Sequence, residues 1–180
     1  MATTSLRKLA QHLDVPERTL RRAAAEGLIR GERISPRRYR TSLREEAYLR
    51  AHWPLLRELR DALRTEPNVR LAILFGSQAT GTSAARSDVD ILVRLVDPGA
   101  ARVAELTGRL ERRSGRDVQV VRLDDAGDAP GLMADALERG RVLIDRDGDW
   151  PELHRQAGAW RVRAAQAEVP LEDSMPDLEL

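Results

Sequence analysis

The sequence predicts a mixed α/β protein in two parts, a small mixed sheet with flanking helices preceded by a smaller, mainly helical unit. Three observations predict it. Two apolar runs, 69–75 and 89–93, have the character of strands. Segments on either side carry apolar residues at helical spacing. The charge also divides near residue 66: residues 1–66 hold 15 Lys/Arg against 9 Asp/Glu, and residues 67–180 hold 15 against 20, so the formal net charge of +1 conceals a basic segment and an acidic one.

The first helix is predicted from Ser5, a suitable N-cap, through Leu6, Leu9, Ala10 and Leu13. Asp14-Val15-Pro16 ends it, and Pro16 suits the first turn of a second helix carrying Leu20, Ala23 and Ala24 and stopping at Gly27. Arg30, Arg33, Arg37, Arg38 and Arg40 then surround Ile34-Ser35-Pro36 in an extended loop. A longer helix is predicted from Ser42, with Glu45 completing a capping box. Its seam is Leu43, Tyr48, Leu49, Trp53, Leu56, Leu59 and Leu63, and Pro54 is expected to kink or divide it. Glu66-Pro67-Asn68 breaks it, so the domain boundary is expected there, giving 1–66 and 67–166.

The run from Leu6 to Arg22 resembles a helix-turn-helix, and Gly27-Leu28-Ile29 is similar to the exit from the recognition helix of winged members. The resemblance implies an all-helical or winged unit binding duplex DNA. Arg18, Thr19, Arg21 and Arg22 would lie on the recognition helix, and Arg37, Arg38 and Arg40 on the wing.

In the second part, Val69–Phe75 ends abruptly at Gly76-Ser77, where glycine permits a sharp turn and backbone N–H groups can approach a phosphate. Ten residues later comes Asp88-Val89-Asp90. Alternation along a strand puts Asp88 and Asp90 on one face and Val89 on the other. A third strand begins at Asp117, which would join them if it pairs beside 88–95, roughly 5 Å away. Clustered carboxylates repel unless a cation bridges them, and Mg²⁺ is satisfied by one or two carboxylates plus substrate phosphates. Helices are expected over 100–113 and 132–137, a strand over 140–145, and a last helix from Trp150 bearing Leu153, Ala157 and Trp160. Residues 167–180 are expected to form an acidic tail.

The string Gly76-Ser77, ten residues, Asp88-Val89-Asp90, set between two apolar strands, resembles the signature of the polymerase-β-like nucleotidyltransferases, and its brevity resembles the minimal nucleotidyltransferase (MNT) group. The resemblance implies that Gly76 and Ser77 contact the nucleotide triphosphate and that Asp88 and Asp90 hold Mg²⁺. It makes Asp117 the third acid, a ligand or general base. The substrate would be ATP, and the AMP acceptor a hydroxyl of a partner protein such as a HEPN-type toxin. A fused DNA-binding unit would suit an antitoxin repressing its own operon. One departure stands out: the family loop carries Arg where this chain has Thr80, and Arg86 would have to supply the phosphate contact. The alternatives are a DNA-binding regulator whose nucleotide domain senses without turnover, and a small-molecule nucleotidyltransferase. The resemblance leaves self-association open.

Other classes are excluded by composition. With no cysteine there is no disulfide and no thiolate metal site, which is compatible with a reducing cytoplasm. His12, His52 and His154 lack metal-ligand spacing, and no apolar run has transmembrane length, so no membrane association is expected.

Overall fold

The computed structural model describes residues 3–35, 38–82 and 87–167. Three of the expectations above, concerning Arg37, Arg86 and the tail 168–180, lie outside the described residues. The N-terminal unit comprises β1 (Thr3–Ser5), α1 (Leu6–Leu13), α2 (Glu17–Ala25), β2 (Glu32–Ser35) and β3 (Arg38–Ser42). Its strands form an antiparallel sheet in the order β1-β3-β2, so the unit is not all-helical. Ser5 caps α1 by accepting the Lys8 N–H at 3.4 Å. Gly27, at φ +86°, turns the chain out of α2 while Leu28 N–H bonds back to Ala23 O at 3.0 Å.

Next, α3 (Leu43–Arg64) is one helix of 22 residues, not divided at Pro54. The exposed proline ring faces away from a buried stripe, Leu49, Trp53, Leu56, Leu59 and Leu63, that continues on both sides of it, and this packing outweighs the lost backbone bond. Leu43, expected in the seam, is 53% exposed instead. The expected capping box is half made. Ser42 Oγ accepts the Glu45 N–H at 3.1 Å, but the Glu45 carboxylate turns inward to Arg141.

The second sheet contains β4 (Val69–Phe75), β5 (Val89–Leu95), β6 (Val118–Arg122) and β7 (Arg141–Asp145), in the order β6-β5-β4-β7. The β5/β6 pair is parallel and the other two pairs are antiparallel. Between them run α4 (Gly76–Thr80), α5 (Ala100–Ser114) and α6 (Pro130–Arg139). The single last helix expected from Trp150 is two, α7 (Trp150–Arg155) and α8 (Ala157–Ala167).

Each face of the sheet has its own core. Ala72, Leu74, Val89, Ile91 and Val118 join α3, α5 and the N-terminal helices in one apolar cluster, whereas Leu71, Ile73, Phe75 and Leu92 pack with Met133, Ala136, Leu137 and Ala157 in another. The first cluster runs without interruption from Leu6 to Leu143. Accordingly α3, which ends at the expected boundary, packs on α5 and β7 as well as on α1. Among the described residues, no helix is long and apolar enough to cross a membrane.

Candidate active site

Strand β4 delivers Gly76 and β5 delivers Asp90, because Phe75 pairs with Asp90 across the antiparallel ladder. Gly76 has φ +68°, a region that costs other residues energy, and a Cβ there would lie 2.7 Å from Asp90 Oδ2. The turn therefore requires glycine twice over, for its dihedral and for the approach of a carboxylate. Ser77 follows in the first turn of α4, half-buried.

Asp88 is exposed just before β5, and Asp90 is half-buried on it. The Val89↔Val118 register sets Asp117 beside Asp88, and Val89 N–H bonds to Asp117 O at 2.9 Å. The expected pairing of the third strand is thus present, with Asp117 exposed at its start.

A fourth acid, which sequence patterns did not single out, enters from α6. Asp135 Oδ2 accepts the Gly76 N–H at 3.0 Å and pairs with Arg139 at 2.6 Å. Burial first, then the charges of Asp88 and Asp135, raises the Asp90 pKa above its ordinary 3.8. Helical spacing alone gives Asp135 no distinction, and only the docking of α6 brings it to the turn.

The donors here are oxygen atoms alone, and mutual repulsion already acts on Asp90, which is the environment a hard divalent cation relieves. Among the described residues, no three His, Cys, Asp or Glu side chains gather closely enough to hold a metal ion by themselves. A cation sharing Asp88 and Asp90 with substrate phosphates fits that arrangement better than an all-protein cage.

At the other end of α4, Thr80 Oγ1 lies 3.3 Å from Gly76 O and 3.2 Å from Ser77 O, so its side chain folds back onto the turn. Tyr48 OH donates to Gln78 O at 2.9 Å, and burial pushes this phenol up to about 12, keeping its proton in place. The buried Gln78 donates to Ser87 O at 2.9 Å, tying α4 to the residue before Asp88.

A second feature lies on the N-terminal unit, where a cleft of about 530 Å³ is lined by Arg7, Lys8, Arg21, Arg38 and Arg40 among others. Arg38 and Arg40 project outward from β3. Arg18 is exposed, Thr19 half-buried toward Trp53, Arg21 pairs with Glu17 of its own helix, and Arg22 pairs with Glu26 just past the helix end. Arg7 and Lys8, on the exposed side of α1, were not singled out from sequence.

Fold and site together define a nucleotidyltransferase. The family model "Polymerase beta, Nucleotidyltransferase" matches residues 57–149, just over half of the 180-residue chain, and the chain belongs to this family. Among solved structures it is similar to a chain of a toxin–antitoxin complex with AMP-PNP, at 27% identity and a TM-score of 0.51, covering 63% of this chain and 90% of that one. A mutant of the toxin–antitoxin MntA-HpeT matches with the same TM-score of 0.51 and coverage of 63% and 90%, at 25% identity. No curated protein matches the chain.

Proposed function

We propose that this protein transfers AMP from ATP to a hydroxyl of a partner protein, a HEPN-type toxin, and so serves as its antitoxin. One observation carries the reading: Asp90 lies against the Gly76-Ser77 turn with the Asp88 charge acting on it, in a family member similar to a toxin–antitoxin chain crystallised with an ATP analogue.

When bound, Mg²⁺ supplies charge neutralisation for the phosphates and the departing pyrophosphate. Asp88 and Asp90 would hold it. The Gly76-Ser77 turn would orient the triphosphate, and Asp117 would accept the acceptor's proton or serve as a further ligand. The acceptor oxygen then bonds to the α-phosphorus, the bond to the bridging oxygen breaks, and pyrophosphate leaves. Duplex DNA is the second proposed partner, met by the basic cleft of the N-terminal unit, with Arg38 and Arg40 toward the phosphates. The test is incubation with ATP, Mg²⁺ and the protein encoded by the neighbouring gene, followed by intact-mass measurement of both. A gain of one or more AMP units on the partner is expected, and it should be absent with Asp90→Asn.

A second reading, a DNA-binding regulator that senses nucleotide without turnover, is favoured by Thr80, whose hydroxyl is turned back on the turn where the family loop has a cation. DNA binding with no AMP on any partner would select it.

A further inference from the structure

A cleft of about 560 Å³ opens where the N-terminal unit meets the catalytic domain, on the Thr80 side of α4. Four guanidinium groups line it, those of Arg30, Arg44, Arg139 and Arg141, against one carboxylate, Glu45. That carboxylate is already committed, since its two oxygens take Arg141 at 2.6 and 2.9 Å and the Arg30 N–H at 2.9 Å. Arg139 pairs in turn with Asp135, so the charge left uncompensated is that of Arg30 and Arg44. Arg30 gives one guanidinium nitrogen, Nη2, to the carbonyls of Ala79 and Arg139, and no carboxylate pairs with Arg44 among the described residues.

Arg44 also stands second in α3, where a cation opposes the helix dipole. Crowding registers on Arg30, whose pKa is lowered by burial and then by Arg141, with a smaller contribution from Arg44. Ser42, Thr80 and Thr82 complete the wall.

We propose that this junction cleft is an anion site for an oligophosphate group, with Arg44 and Arg30 as its ligands. Planar guanidinium groups match phosphoryl oxygens in charge and in donor geometry, and the volume admits a chain of three phosphoryl units. Two sources share that chemistry, the tail of the substrate nucleotide extending past α4 and a separate phosphate-bearing effector. The site does not depend on nucleotide transfer and can be tested without it.

The experiment is calorimetric titration of the full chain with sodium tripolyphosphate, free of divalent metal. Saturable one-to-one binding is expected, weakened about fivefold by Arg44→Ser, a loss near 1 kcal/mol, and more by Arg44→Glu. Asp90→Asn should leave it unchanged, and melting without anion should show the Arg44 variants folded. Saturating AMP-PNP with Mg²⁺ beforehand separates the sources, because competition assigns the cleft to the substrate's tail and independent binding to an effector. Absence of binding would overturn the proposal. So would binding that survives both Arg44 variants, or binding lost instead on Arg38→Ala with Arg40→Ala, which would place the anion on the N-terminal unit's basic cleft.

Discussion

Glu45 and Arg141, 96 residues apart in sequence, form a two-pronged ion pair of 2.6 and 2.9 Å with both side chains almost fully buried. The Arg141 guanidinium lies 3.5 Å over the Tyr48 ring and donates to Ala79 O and Leu28 O at 2.8 and 3.0 Å. One side chain of β7 thereby fastens α3, α4 and the exit of α2. Glu45→Leu alone should cost about 3–5 kcal/mol, because it strands a buried charge. Adding Arg141→Met should recover much of that loss. Urea unfolding of the parent, single and double variants checks this, and a double variant weaker than the single would refute it.

Asp90 should make stability depend on pH in a defined direction. Its folded-state pKa is raised above 3.8 by burial, Asp88 and Asp135, so the folded protein holds this proton more tightly than the unfolded chain. Stability from this group is complete below 3.8 and declines as pH rises through the folded value. Without metal, Asp90→Asn should melt above the parent at neutral pH, and the gap should close at acid pH. A variant less stable at neutral pH would point to a structural role for the carboxylate.

Ligand linkage gives a complementary test of the same acids. Mg²⁺ with AMP-PNP should raise the parent's melting temperature by binding the native state. Asp88→Asn and Asp90→Asn should each abolish most of that rise. A full rise in both variants would remove these residues from the nucleotide site.

The two halves should not separate at Pro67. A chain beginning there lacks Leu56, Leu59 and Leu63, which are fully buried in the core shared with β4, β5 and β7. It should aggregate or melt without cooperativity, and restoring residues 42–66 should improve its folding. A well-folded chain from Pro67, shown by sharp thermal melting, would mean the sheet closes its own core.

The N-terminal unit should bind duplex DNA with an affinity that falls steeply with salt. Arg38→Ala with Arg40→Ala should make the log–log salt slope shallower by about 1 for each phosphate that is no longer neutralised. Fluorescence anisotropy across a salt series measures it, and no affinity at low salt would refute DNA binding.

The turn and the strand acids were legible in the sequence because they obey local rules. Gly76-Ser77 follows an apolar strand, and the period of two along the next strand leads to the expectation that Asp88 and Asp90 share a face. Helix starts at Ser5 and Ser42 and the exit at Gly27 were equally local, each set by a cap or a dihedral.

What only the tertiary structure decided depends on groups distant in sequence. Asp135 reaches Gly76 across 59 residues because α6 docks on the sheet, and nothing in its own helix marks it. Helix α3 is continuous through Pro54 because packing on both sides offsets one lost hydrogen bond. Glu45 and Arg141 have the composition of surface residues, and their burial is tolerable only because each satisfies the other. An apolar or charged pattern fixes which face of an element turns inward, but the partner that meets it is set by the packing of the whole chain.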